Sequence, residues 1–147
     1  MKFLEKYNNK KNIRFSLFKK TLEIAMSRGS KVIVETGTSR GKKKFFFFKK
    51  FNWKDGMSTL MFSEFAHFIK GELHSCDISE ENINNAKDFT REYNDNVNFY
   101  IKDSIIFLKN FHKKIDLLYL DSFDGHDVEL ASKHQLDEAK AVISKLK

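Results

Sequence analysis

Apolar residues in this chain keep two rhythms, and the rhythms alternate. Phe15, Phe18, Leu22 and Ala25 recur at helical spacing, so residues 1–29 read as an amphipathic helical segment. Ser16 is placed to cap it and Gly29 to end it. A β-branched run follows, Val32-Ile33-Val34, and stops at Glu35. A short continuous apolar run of this kind reads as a strand buried on both faces. Gly37 and Gly41 come next and predict a turn whose backbone passes close to something bulky.

The rhythm then repeats. A helix is predicted from about Gly56, through Leu60, Phe62, Phe65, Phe68 and Ile69, with Ser58 as N-cap and Gly71 at its end. Residues 72–77 form a second strand, ending on Asp77. Ser79 caps a helix through Ile83, Ala86 and Phe89, with Glu80 and Glu81 at its positive end. A third strand, 97–101, leads to Asp103 and Ser104, and a short helix holds Ile106, Phe107 and Phe111. The fourth strand, 115–120, ends on Asp121. The last helix starts near Asp127, with Leu136, Ala139, Val142, Ile143 and Leu146 on its apolar faces.

Strand–helix alternation predicts an α/β fold: a parallel sheet with helices on both faces and right-handed crossovers. The carboxyl ends of parallel strands share one edge. Glu35, Asp77, Asp103 and Asp121 therefore converge there, where open α/β sheets bind their ligands.

Composition narrows the picture. The 147 residues suffice for one domain, 1–147, with a proper core. Proline is absent and only six glycines occur, which argues against long disordered linkers. No stretch reaches the ~20 apolar residues of a membrane span, and the first residues lack the apolar core of a signal peptide. The single cysteine, Cys76, fits a reducing, cytoplasmic setting.

Charge is local. Residues 42–55 hold six lysines and one aspartate, and so carry five of the seven net positive charges. This Lys/Phe-rich stretch has neither helical nor alternating period and reads as an inserted loop or hairpin. Its aromatics and lysines suit RNA, a nucleotide or an anionic surface. The plainer reading is a hairpin whose phenylalanines dock on the domain while its lysines stay wet. Its place beside the ligand edge also suits a lid over substrate.

The motifs together resemble the class I S-adenosylmethionine-dependent methyltransferases. They are Glu35-Thr36-Gly37-Thr38-Ser39-Arg40-Gly41, Asp77 at the end of the second strand, Asp103-Ser104 after the third, and 115–126 around the fourth. The nearest subgroup is the small O-methyltransferase-like domains, whose Gly-x-Ser-Thr helix start is similar to Gly56-Met57-Ser58-Thr59. The resemblance implies a Rossmann-like three-layer αβα fold with strand order 3-2-1-4. It implies S-adenosylmethionine as cofactor, and methyl transfer to an oxygen of a small molecule or sugar. Gly37, Thr38 and the backbone to Gly41 would approach the methionine part. Glu35 would face its ammonium group or fix the loop. Asp77 would accept from both ribose hydroxyls, and Asp103, with Ser104 beside it, would receive the adenine amino group. Asp121 and His126 are the candidate bases for a hydroxyl acceptor, with His134 a poorer one. No metal is predicted. A dinucleotide-binding turn fits less well: with Gly37 as the middle glycine of G-x-G-x-x-G, Glu35 and Arg40 occupy the other two places.

The family sheet has seven strands, and this pattern supplies four. The fourth strand is apolar enough to be central, so a partner chain, a second copy or further polypeptide is expected along its edge. The competing expectation is a non-catalytic binding module that uses the Lys/Phe-rich stretch on nucleic acid or a protein partner.

Overall fold

The computed structural model describes residues 1–45, 48–51, 53, 56–123 and 127–147, with 42–45 and 48–51 described by their backbone. The strands are β1 (Val32–Thr36), β2 (Lys42–Phe45), β3 (Phe48–Phe51), β4 (Glu72–Asp77), β5 (Val97–Ile101) and β6 (Leu117–Leu120). The helices are α1 (Phe15–Ser27), α2 (Ser58–Phe68), α3 (Glu80–Phe89), α4 (Ser104–Asn110) and α5 (Val128–Val142). A 3-10 turn, Lys2–Tyr7, precedes α1, so the N-terminal segment is two pieces and not one helix.

β5, β4, β1 and β6 form one parallel sheet in that order, the order 3-2-1-4 when the sheet strands are counted along the chain. β2 and β3 pair antiparallel as a separate hairpin, with Phe45 opposite Phe48. Two cores flank the sheet. Ile33 and Leu73 pack with Phe18 and Leu22 of α1 and Phe62 and Phe65 of α2. On the other face, Val34 and Cys76 meet Phe107 and Leu108 of α4 and Val142 of α5. Neighbours along β1 thus point to opposite layers, as a strand buried on both faces requires.

Several local expectations shift. Arg14, not Ser16, is the N-cap of α1, and it makes no side-chain capping bond. Met57 takes the N-cap position of α2, because the Ser58 hydroxyl is turned inward to Glu35. Lys70 is the left-handed residue after α2, at φ 51°. Gly71 is needed for another reason: an added Cβ would overlap the Lys31 carbonyl. Ser79 caps α3, accepting from Asn82 N at 3.3 Å.

The face of α5 is the largest revision. Leu136, Ile143 and Leu146 are exposed, while Ala131, Glu138 and Val142 are buried. The helix carries apolar residues on more than one face, so periodicity could not choose the inner one. The fourth strand is also shorter than its apolar run. Ile115 lies outside β6 and forms a parallel bridge with Leu146. Beyond that bridge, β6 is the last strand of its sheet.

Candidate functional site

Glu35 leaves β1 pointing into the layer shared with α2, and it is wholly buried. Its Oε1 accepts from Ser58 Oγ at 2.5 Å, and its Oε2 accepts from Thr59 Oγ1 at 2.8 Å and Ser75 Oγ at 2.7 Å. Burial pushes its carboxyl up to about 7, against the pull of the three hydroxyls. A second tie runs beside it: Ser39 N donates to Thr59 Oγ1 at 2.8 Å, and Thr59 N donates to Ser39 Oγ at 3.1 Å. Glu35 and its neighbours therefore fasten the glycine turn to the start of α2, although the hairpin lies between them in sequence.

The turn itself is set by Gly37, whose φ is +82° and whose added Cβ would overlap the Asp121 carbonyl. Its N–H donates to Cys76 O at 2.9 Å. Thr38 is buried, with its N–H on Asp77 Oδ2 at 3.0 Å and its hydroxyl 3.0 Å from Ser75 Oγ. Gly41 backs onto the Phe89 ring.

A cavity of about 450 Å³ opens at the carboxyl ends of the sheet strands. Of the candidate site residues singled out from sequence, Gly37, Asp77, Asp103, Ser104 and His134 line it. Glu35, Thr38 and Gly41 are not among its lining residues and act behind the turn. His126 lies outside the described residues, as do any contacts of the lysine–phenylalanine side chains. Asp121 stands beyond Gly37, with Oδ2 3.4 Å from Arg14 Nη1 and 3.2 Å from the Tyr119 hydroxyl, which donates to it.

The acids of the cavity are partly engaged. Asp77 Oδ1 accepts from Ser79 N at 2.7 Å, and its Oδ2 accepts from Thr38 N and from Asn82 Nδ2 at 3.1 Å. Asp103 caps α4, with Oδ1 accepting from Ile106 N at 2.9 Å. Ile78 and Phe123 put apolar surface on the cavity, and remain 75% and 36% exposed. Cys76 also lines it, with its thiol pushed up to about 12 by burial, which makes it an unreactive wall.

Sequence reasoning undervalued the α5 side. His134 lines the cavity, with Nε2 3.0 Å from Ser104 Oγ and 3.1 Å from Ser122 Oγ. Glu138 stands behind it and accepts from Ser122 Oγ at 2.7 Å. One signal was available: His134 and Glu138 are an i, i+4 pair and must share a helix face. Among the described residues, no group of three or more His, Cys, Asp or Glu could hold a metal ion, and no helix is long and apolar enough to cross a membrane.

No protein-family model matches the sequence, and no curated protein matches it. Solved structures do. The O-methyltransferase from Bacillus cereus, in complex with SAH, superposes with a TM-score of 0.58 at 16% identity, over 96% of this chain. The chain shares its fold with an O-methyltransferase. Cofactor-bound Rv0187 from MTB is similar too, with a TM-score of 0.59 at 15% identity over 86% of this chain. The chain spans 50% of Rv0187 and 58% of the Bacillus cereus enzyme. At such identities the likeness is one of fold.

Proposed function

We propose that this chain binds S-adenosylmethionine in the cavity at the sheet's carboxyl edge and takes part in methyl transfer to an oxygen of a small molecule or sugar. The observation that carries the reading is the cavity's wall: Gly37, Asp77 and Asp103 meet there with the apolar pair Ile78 and Phe123. Those residues fit the cofactor. A carboxylate offers about four acceptor positions, and the three donors on Asp77 leave room for a ribose hydroxyl. Asp103 Oδ1 serves the helix cap, which leaves Oδ2 for an amino group. Ile78 and Phe123 offer a flat base two apolar surfaces.

The cofactor, when bound, supplies an electrophilic methyl on a sulfonium. Bound there, it would give that methyl to the acceptor oxygen and keep the carbon–sulfur electron pair on sulfur. What this chain supplies is position and a place for the acceptor's proton. Asp121 is that place. Its main chain packs on Gly37, while its carboxylate faces Tyr119 and Arg14. Arg14, the N-cap residue of α1, puts a cation beside that carboxylate.

Calorimetric titration with S-adenosylhomocysteine tests the reading. Micromolar binding is expected for the wild type, weakened at least ~100-fold in Asp77→Ala, the scale of losing several hydrogen bonds to a charged group. Absence of binding to the wild type, or equal binding by the variant, overturns it.

A further inference from the structure

The α5 wall of the cavity holds a chain of hydrogen bonds with one consistent direction. It begins at Glu138, wholly buried, whose carboxylate can only accept. Ser122 Oγ lies 2.7 Å from Glu138 Oε1 and donates to it. With its one hydrogen spent there, Ser122 can only accept from His134 Nε2, 3.1 Å away. Ser104 Oγ stands 3.5 Å from Ser122 Oγ, and 3.0 Å from the same Nε2. At 3.5 Å the Ser122 contact is too long to hold Ser104's hydrogen, so the Ser104 hydroxyl takes whichever role the ring leaves it. The Ser122 contact requires a hydrogen on Nε2. A neutral imidazole protonated there keeps a bare lone pair on Nδ1.

We propose that Glu138, acting through Ser122, fixes His134 in its Nε2–H form, and that His134 Nδ1 is an acceptor that selects an amino-bearing purine in the cavity. The base-selecting half rests on the cofactor reading above; the tautomer half does not. Glu138 and Ser122 are positioning residues, and His134 reads the base. Phe123 steadies the ring, with centroids 5.3 Å apart at 35°. The cluster is not a nucleophile triad. Glu138 Oε1 lies 3.7 Å from Nε2, the nitrogen that also meets both serines, whereas a triad places its carboxylate on the opposite nitrogen. An oxo-purine brings an acceptor where an amino-purine brings a donor, and two facing acceptors repel. A site built around a hydrogen bond rejects the analogue that cannot make it.

Nitrogen-15 NMR of the histidine rings reads the tautomer with no ligand present. His134 is expected as Nε2–H near neutral pH. In Glu138→Gln, the side-chain amide can donate to Ser122 and let the chain reverse, so a substantial Nδ1–H population is expected. Should that variant fail to fold, Ser122→Ala removes the relay's middle hydroxyl and predicts the same change. An Nδ1–H or doubly protonated ring in the wild type overturns the assignment, and so does a tautomer untouched by these variants. Calorimetry with S-adenosylhomocysteine and S-inosylhomocysteine reads the selection. The wild type is expected to prefer the adenine form by about tenfold or more, and that preference to fall at least about threefold in His134→Phe, where Asp103 still offers an acceptor. A preference unchanged in His134→Phe overturns base selection. If the wild type binds neither compound, the cofactor reading falls and base selection with it, while the tautomer is still decided by the NMR spectrum.

Discussion

Two glutamates in this fold are wholly buried, and they are buried differently. Glu35 meets three hydroxyls, and both of its oxygens are satisfied. Glu138 meets one hydroxyl through Oε1, while its Oε2 has no partner among the described residues. The donors to Glu35 come from α2 and β4 and are themselves buried, so that carboxylate closes a structural joint. The donor to Glu138 lines the cavity. A fully satisfied polar network makes one arrangement rigid, whereas a partly satisfied one carries an unmet cost. The contrast separates a clip that holds the glycine turn from a relay that faces the cavity.

Removing the clip should have the largest effect. Glu35→Ala leaves Ser58, Thr59 and Ser75 without their acceptor and opens a void between β1 and α2. A loss of about 3–5 kcal/mol is expected in urea unfolding, within the range of broken buried networks. Glu138→Ala gives up one bond and also releases an unpaired oxygen, so its cost should stay near 1–2 kcal/mol. Equal losses at the two positions would erase the distinction.

The pH dependence follows from the same burial. The folded value for Glu35, about 7, lies above the ordinary value of 4.5. The folded state therefore holds its proton more tightly than the unfolded chain. The stability this confers is complete below pH 4.5 and is lost as pH rises through 7, by about 3 kcal/mol at 1.36 kcal/mol per unit. Unfolding free energies from urea titrations at pH 4.5 and pH 8 should differ by that much more in the wild type than in Glu35→Gln. No difference between the two proteins would mean that Glu35 does not titrate in this range.

The clip was partly legible in the sequence and the relay hardly at all. Val32-Ile33-Val34 ending on Glu35 marked both the central strand and its acid, because burial on two faces leaves a continuous apolar run. Fixing the loop was one of two roles open to Glu35, whose oxygens accept from three hydroxyls. Ser58, expected as a helix cap, is one of them. Nothing local signals that its hydroxyl would turn toward a strand 23 residues earlier. The relay failed to show for a related reason. Reading α5 by its apolar positions chose Val142, which is buried, together with Leu136 and Ile143, which are exposed, and passed over Ala131 and Glu138 on the buried face. A buried glutamate cannot be recognised by hydrophobicity. Only its partners Ser122 and His134 make burial tolerable, and those contacts are tertiary.

Truncating the serines should reverse the ranking of the glutamates. Ser75→Ala leaves Glu35 with Ser58 on Oε1 and Thr59 on Oε2, so each oxygen keeps a donor. Ser122→Ala takes the hydroxyl from Glu138 Oε1, whose Oε2 already lacks a partner, and leaves a buried carboxylate without that compensation. The expected costs are about 1 kcal/mol for Ser75→Ala and about 2–3 kcal/mol for Ser122→Ala, because stranding a buried charged acceptor costs more than thinning a redundant set. The joint would thus be more sensitive at its carboxylate and the relay more sensitive at its hydroxyl. Matched urea titrations of the four variants, Glu35→Ala, Glu138→Ala, Ser75→Ala and Ser122→Ala, measure that crossing directly. If Ser75→Ala proves the costlier serine change, the three donors to Glu35 are not interchangeable, and Ser75 alone sets the joint between β1 and β4.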